Sequence, residues 1–216
     1  EDLNKKKIIN FSDNNLHLVG YSAPTKKTLT KKNLLKYIHT NKRIPNAIPY
    51  VTSYYKKSWG FCMSHNEFLN FTKKYKNSDK FNILIDSKFN NNGFLEYGEL
   101  VIKGSSKQEI LISTYICHPS MANNELSGPI VAMSLITYFL KKKINKTLRF
   151  IFIPETIGSI VYIHKHFDKL KSHIIGGYNI SCVGDENKFS CILSKYKNSH
   201  SDKALLKTFK KFNIKF

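Results

Sequence analysis

From about residue 108 onward, long apolar segments alternate with segments of helical periodicity. The apolar segments contain few polar positions, which is typical of strands buried on both faces of a parallel sheet. Because right-handed crossovers join such strands through helices, this order predicts an α/β fold. We expect a mostly parallel twisted sheet with helices on both faces. The predicted strands are 109–116, 148–153 and 174–183, and the predicted helices are 127–143 (capped by Ser127), 159–171 and a last one from Asp202.

Residues before about 105 differ in composition, with many turn-forming and aromatic residues. Four short strands are predicted there, at 16–21, 50–61, 81–85 and 96–102. Because no long helices separate these strands, the pattern indicates a small β-rich subdomain of roughly residues 26–103.

The net charge of +20 suggests nucleic-acid binding, but the composition argues against a specific site. Arginine occurs only at Arg43 and Arg149, so 33 of the 35 basic residues are lysines, and they form no single stripe. Nucleic-acid sites favour arginine because its guanidinium group makes paired hydrogen bonds. We therefore expect a solvated basic surface and no specific nucleic-acid partner.

The four cysteines form neither a CxxC pair nor a disulfide-dense pattern, which is typical of a reduced, cytoplasmic protein. No apolar run approaches the ~20 residues of a membrane-spanning helix, and the first residues lack the apolar core of a signal peptide. We expect a cytoplasmic protein without a membrane partner. The sequence does not begin with methionine, so we expect a fragment.

Polar side chains follow each of the three apolar strands. Cys117 and His118 follow the first strand, Glu155 follows the second and Asp185 follows the third. Ligands bind beyond the carboxyl ends of strands in open α/β sheets, and neighbouring strands lie only ~4.8 Å apart. Histidine and carboxylates converging there could form a zinc site that activates water. The same residues could equally end strands and cap helices.

A cysteine nucleophile is a second interpretation of this region. Cys117 adjoins His118, but consecutive strand residues point to opposite faces, so the two are expected to be poor partners. Cys182 lies in a predicted apolar strand and is expected to be a small core residue. Thiol catalysis is therefore ranked below metal-assisted hydrolysis.

Three segments resemble bacterial aminopeptidase-like proteins, which are often encoded with polysaccharide-biosynthesis genes. They are Ser113–Pro129 (STYICHPSMANNELSGP), Ile151–Ser159 (IFIPETIGS) and Cys182–Asp185 (CVGD). Such proteins are distant relatives of zinc aminopeptidases that use two metal ions. Residues 14–18 and 48–55 resemble the small domain that the family inserts into its peptidase fold. The resemblance implies that 26–103 is an insertion between residues 1–25 and 104–216 of a peptidase-like domain.

The resemblance also implies roles for single residues. His118 matches the first metal-binding histidine, Asn124 matches the aspartate that bridges the two metals, and Glu155 matches the general base. Thr156 stands where relatives have a second glutamate. Ser181 stands at a further ligand aspartate, and Asp185 is the nearest carboxylate.

Fewer anionic ligands should weaken a second ion, so we expect one zinc, held by His118, Asn124 and Asp185, with the second ion doubtful. Glu125 could supply a nearby carboxylate. The last ligand histidine of the family lies in a C-terminal portion without a counterpart here, so the chain is expected to be incomplete at its C-terminus.

Two functions follow from the resemblance. The first is a zinc-dependent aminopeptidase-like hydrolase that cleaves a peptide or amide bond in a small peptide or amine-bearing substrate, with Glu155 as base. The alternative is a catalytically degenerate binding protein of surface polysaccharide biosynthesis. Homo-oligomer formation is left open by the sequence.

Overall fold

The computed structural model describes residues 1–119, 121–186 and 189–215. The chain divides into two compact units, residues 1–93 (the first unit) and 94–216 (the second unit). The elements of the second unit are β5 (Gly98–Ile102), β6 (Ser106–Tyr115), α3 (Ser127–Phe139), β7 (Lys146–Ile153), α4 (Ile157–His173), β8 (Ile174–Asn179) and α5 (His200–Lys211).

A four-stranded sheet forms the centre of the second unit, with the strand order β5-β7-β6-β8. Strand β6 runs parallel to both β7 and β8, whereas β5 pairs with β7 in the antiparallel direction. The sheet is therefore mostly parallel, and β6 lies between the two strands with which it shares a direction.

Side chains of the central strands alternate between two apolar layers. Ile112 and Phe150 pack on one face of the sheet with Ala132 of α3. Ile151 and Ile153 pack on the other face with Tyr162 of α4. Burial on both faces explains why residues 110–112 of β6 and 150–153 of β7 are apolar at consecutive positions. The predicted α/β class, with helices on both faces, is confirmed.

A buried ion cluster lies on the α4 side of the sheet. Arg149 of β7 donates from Nε and Nη2 to the two carboxylate oxygens of Glu109 on β6, at 2.6 and 2.9 Å. It also bonds Glu99 of β5, which in turn accepts a 2.6 Å hydrogen bond from the Tyr162 hydroxyl. The hydrogen bonds from Arg149 lower the pKa of Glu109. The cluster ties three strands to α4.

The first unit contains shorter elements. They are β1 (Thr25–Thr30), α1 (Lys31–Leu34), β2 (Ile38–His39), β3 (Phe61–Cys62), α2 (His65–Lys74) and β4 (Lys80–Ile85). Strands β1 and β4 pair in the antiparallel direction, and β2 and β3 form a short parallel pair. The core contains Leu34, Trp59, Met63, Phe71, Phe81, Ile83 and Ile85.

Several sequence predictions for the first unit are wrong. The predicted strand 16–21 begins as a 3₁₀ turn, Asn15–His17, capped by Asn14. Of the predicted strand 50–61, only its last residue lies in an element, β3. Helix α2 was not predicted, although Ser64 and Glu67 form the reciprocal capping box that often marks a helix start.

The predicted subdomain boundary at residue 103 lies just after β5. Strand β5 was grouped with the β-rich subdomain, but it pairs with β7 in the sheet of the second unit. The two compact units divide between Gly93 and Phe94. Whether 1–25, 26–103 and 104–216 correspond to a peptidase-like fold with an insertion stays a prediction.

Among the described residues, no helix is both long enough and apolar enough to span a lipid bilayer.

Helix α5 begins with a hydrogen-bonded aspartate that should make stability depend on pH. Ser199 caps the helix, and Asp202 accepts hydrogen bonds from the backbone N–H groups of Ser194 and Ser199, both at 2.9 Å. Hydrogen bonds, led by that of the Ser194 hydroxyl, hold the pKa of Asp202 well below its usual value. The ionised carboxylate therefore stabilises the fold above about pH 4, the pKa in the unfolded chain.

We expect Asp202→Asn to be less stable than the wild type at neutral pH. This difference should shrink as the pH falls below about 4, because the unfolded wild type then binds a proton that the folded carboxylate, with its lowered pKa, does not bind. Urea unfolding followed by circular dichroism at several pH values measures it. Asp168→Asn, at an exposed aspartate of α4, is the control. An Asp202→Asn difference that does not change with pH would contradict the prediction.

Candidate active site

The segments that follow β6 and β7 bring a histidine and a glutamate together. The register pairs Tyr115, at the end of β6, with Ile153, at the end of β7. His118 and Glu155 lie two or three residues beyond these positions, at the shared carboxyl edge of the parallel strands. The His118 Nε2 atom is 3.1 Å from Glu155 Oε1. The predicted convergence of these two side chains is thus observed.

A second carboxylate contacts the other nitrogen of the same imidazole ring. His118 Nδ1 lies 2.6 Å from Glu125 Oε1. The side chains of His118 and Glu125 are 15% and 8% exposed, whereas that of Glu155 is 44% exposed. His118 therefore bridges a buried acid and an acid that is open to solvent, and only the exposed one is accessible to a substrate.

The placement of Glu125 depends on an unusual turn. Residues Ala122–Leu126 form a π-helical turn directly before α3. Such turns are rare in proteins, and those that occur are often found at functional sites. The Glu125 carboxylate also accepts a 2.6 Å hydrogen bond from the backbone N–H of Cys117. Glu125 thus ties the chain after β6 to the start of α3. The sequence identified it only as a nearby carboxylate.

The thiol of Cys117 lies in the same cluster. Its Sγ atom is 3.6 Å from His118 Nδ1 and 4.0 Å from Glu125 Oε1. The prediction that Cys117 and His118 are poor partners is wrong, because β6 ends at Tyr115 and strand alternation no longer applies. Burial raises the pKa of the Cys117 thiol, and the negative charges of Glu125 and Glu155 raise it further. A hydrogen bond from the Glu155 backbone N–H lowers this pKa in part. A raised pKa disfavours the thiolate that nucleophilic catalysis needs.

Asn124 and Asp185 take other partners. Asn124 donates from Nδ2 to Cys182 Sγ at 3.5 Å, while its buried Oδ1 atom has no hydrogen-bond partner in the described part of the chain. Asp185 accepts a 2.7 Å hydrogen bond from Asn123. Among residues 1–119, 121–186 and 189–215, the atoms that could hold a metal within 4.8 Å of one another belong to Cys117, His118 and Glu125, a group without Asp185. The ligand roles of Asn124 and Asp185 stay predictions.

Two further predictions near the site are wrong. Cys182 is exposed and has a positive φ of 53°, because β8 ends at Asn179, before it reaches the cysteine. Ser127 does not cap α3, which follows directly from the π-helical turn. Its hydroxyl instead donates to the Asn123 carbonyl and accepts from the Val183 backbone N–H, which joins α3 to the chain after β8.

The backbone is strained immediately after Glu155. Thr156 has φ 57° and ψ −88°, and a β-branched residue with positive φ is an outlier. Such strain persists only where the surrounding structure enforces it, and it is concentrated at functional sites. Thr156 precedes α4, so its conformation sets the direction of the backbone between Glu155 and that helix.

Comparison with known proteins identifies the family of this chain. The profile of the DUF4910 family, described as a domain of unknown function, matches residues 18–216. The chain belongs to the DUF4910 family. A Clostridium acetobutylicum protein, named provisionally as a polysaccharide biosynthesis protein with an aminopeptidase-like domain, is 40% identical over 202 residues. That alignment covers 94% of this DUF4910 chain and 45% of the relative.

A solved structure gives the same relationship. The crystal structure of a C. acetobutylicum protein, named provisionally as a peptidase, matches with a TM-score of 0.89 and 39% identity. The match covers 97% of this DUF4910 chain and 48% of the other. The chain thus spans less than half the length of these two relatives. The resemblance to aminopeptidase-like proteins, inferred from the strand-end motifs, is confirmed.

Proposed function

We propose that this DUF4910 chain carries part of the active site of a metal-dependent aminopeptidase-like hydrolase. The observation that supports this best is the placement of His118 between Glu125 and Glu155 at the carboxyl edge of the sheet. A histidine that can bind a metal and an accessible carboxylate beside it supply one ligand and a general base for metal-assisted amide hydrolysis.

The donor atoms present fit a zinc ion. His118 offers an imidazole nitrogen at Nε2, on the side of the exposed Glu155, and zinc accepts such a ligand. The unpartnered Oδ1 atom of Asn124 is a further acceptor that a cation could satisfy. We propose His118, Asn124 and Asp185 as ligands. One ion is expected and a second is doubtful, because Asn124 offers a neutral carbonyl where a bridging site needs a carboxylate.

Each group then has a separate chemical role. Zinc, when bound, supplies Lewis acidity and a water of lowered pKa at neutral pH. Glu155 is 44% exposed and ends beside His118 Nε2, so its carboxylate can take a proton from the attacking water and deliver it to the leaving amine. The proposed substrates are small peptides or other amine-bearing amides. A cytoplasmic location and homo-oligomerisation stay predictions.

Metal content tests the proposal directly. We expect elemental mass spectrometry of the full-length protein to find about one equivalent of zinc per chain, and His118→Ala to lose it. His164→Ala, at an exposed histidine of α4, is the matched control and should keep the metal. A wild-type protein that stays free of metal after zinc supplementation would contradict the proposal.

The alternative function is a catalytically degenerate binding protein of surface polysaccharide biosynthesis. It is favoured by the chemistry of Ser181, at the position of a ligand aspartate. The Ser181 hydroxyl donates hydrogen bonds to the Tyr115 hydroxyl at 2.5 Å and to the Asn124 backbone carbonyl at 3.4 Å. It therefore has hydrogen-bond partners within the protein and does not replace the ligand aspartate. A metal-free protein that binds amine-bearing sugars without turnover would support this function. The name of the C. acetobutylicum relative, which includes polysaccharide biosynthesis, agrees with it.

A further inference from the structure

We propose that Glu125 is a positioning residue that fixes the ring of His118 and selects Nε2 as its metal-binding atom. The inference rests on the proposed function, because it concerns the same histidine. It assigns to Glu125 a role that the strand-end motifs did not predict, and it excludes Glu125 and Cys117 from the ligand set.

Both carboxylate oxygens of Glu125 are engaged, which holds the side chain in one orientation. Oε2 accepts from the Cys117 backbone N–H at 2.6 Å, and Oε1 lies 2.6 Å from His118 Nδ1. The residue is buried, at 7% exposure, so water does not compete for these contacts. A rotation that broke one of these contacts would leave a part-buried donor without its acceptor, which is costly.

The two ring nitrogens differ in how firmly their carboxylate contacts are held. Glu125 Oε1 is a hydrogen-bond acceptor 2.6 Å from Nδ1 and is buried, so Nδ1 is the donor of a fixed contact. Nε2 faces Glu155 at 3.1 Å, and this 44% exposed side chain can move aside, so Nε2 is the atom left for a metal. A histidine ligand commonly donates its other ring N–H to a carboxylate, which orients the ring and raises its basicity.

A competing position for the metal lies on the other side of the ring. There, His118 Nδ1, Glu125 Oε1 and Cys117 Sγ would all be ligands. Two ligands of one tetrahedral zinc, each about 2.0–2.1 Å from the ion, are separated by about 3.3 Å. The observed 2.6 Å between Nδ1 and Oε1 is a hydrogen-bond distance instead. A metal there would have to break this bond and move His118 away from a carboxylate that the Cys117 backbone N–H holds in place.

Zinc affinity, measured by chelator competition on the full-length protein, tests the inference. Glutamine at position 125 offers one carbonyl oxygen, so it can satisfy only one of the two donors, and its amide NH₂ would face the other. We expect Glu125→Gln to bind zinc roughly 10–100-fold more weakly. Glu96→Gln, at an exposed glutamate of the same unit, should bind zinc as the wild type does. Unchanged affinity in folded Glu125→Gln would overturn the inference.

Spectroscopy separates positioning from direct ligation. We expect the cobalt-substituted wild type to show no thiolate-to-metal charge-transfer band, and Cys117→Ser to keep the cobalt spectrum. A thiolate band that disappears in Cys117→Ser would place the ion on the Nδ1 side and overturn the inference. NMR of the cadmium-loaded wild type gives a readout that needs no variant at position 125. Coupling of the metal to Nε2 supports the inference, and coupling to Nδ1 contradicts it.

The failure of this inference and that of the proposed function are distinguishable. If His118→Ala binds zinc as tightly as the wild type, the proposed metal site itself is wrong. If His118→Ala loses zinc while Glu125→Gln retains full affinity, the metal site stands and the positioning role of Glu125 does not.

Discussion

Replacement of Arg149 by methionine is expected to lower the free energy of unfolding of the second unit by about 3–5 kcal/mol. Arg149 is 2% exposed and Glu109 is 6% exposed, so the variant leaves the Glu109 carboxylate buried without its counter-ion. Glu99 would keep the Tyr162 hydroxyl but lose its positive partner. Urea unfolding gives the change in free energy, and hydrogen exchange of β6 and β7 amides localises it.

Two further variants separate the loss of the ion pair from the loss of a long side chain. Arg43→Met removes the other arginine of the chain, which is exposed, and should change stability by less than about 0.5 kcal/mol. The double variant Arg149→Met/Glu109→Leu removes both charges and should recover most of the lost stability, since a buried pair replaced by apolar residues is often neutral. A single variant that costs less than about 1 kcal/mol would show that the cluster contributes little.

The second large effect concerns catalysis. Glu155→Gln should lower the rate of aminoacyl-amide hydrolysis by the zinc-loaded full-length protein roughly 10²–10⁴-fold, the usual contribution of a general base. This corresponds to about 3–5 kcal/mol of transition-state stabilisation. Glutamine keeps the size of the side chain and a hydrogen-bond acceptor, but it cannot take a proton. Release of amine from dipeptides and aminoacyl anilides measures the rate.

Structural damage must be separated from the loss of the base. The strained Thr156 follows Glu155, so the thermal unfolding and zinc content of Glu155→Gln should match those of the wild type before its rate is interpreted. Glu96→Gln is again the control and should hydrolyse at the wild-type rate. Hydrolysis that is unaffected by Glu155→Gln would remove Glu155 as the base. A zinc-loaded wild type that hydrolyses none of these substrates would favour the binding-protein alternative.

Apolar strands that are buried on both faces were predicted well. Strands β6 and β7 pack against α3 on one face and α4 on the other, so each contains a run of consecutive apolar residues, 110–112 and 150–153. Such runs depend on local composition, which the sequence contains directly. In the first unit, residues 50–59 include Tyr50, Tyr54, Tyr55 and Trp59 but form no strand; Trp59 is buried in the core, whereas Tyr55 is exposed. Local pattern could not distinguish these cases.

The candidate site was predicted only in part, because some of its contacts follow from the strand order and others from an irregular turn. His118 and Glu155 were expected to meet because parallel strands end at a common edge, and they lie 3.1 Å apart. The role of Glu125 could not be predicted, because it depends on the π-helical turn before α3, and a cap at Ser127 implies no helical turn before that residue. An acidic residue seven positions after His118 is the only sequence signal that could have indicated it.

The sequence by itself determined the class of the fold, the three apolar strands, the edge at which chemistry could occur and the resemblance to aminopeptidase-like proteins. These follow from composition, periodicity and motifs, which are local. Only the tertiary structure decided that β6 lies between β7 and β8, that Glu125 and Glu155 contact opposite nitrogens of His118, and that Arg149 pairs with Glu109. Those contacts join residues up to 66 positions apart, as between Ser113 of β6 and Asn179 of β8, and chain topology rather than local pattern sets which distant groups meet.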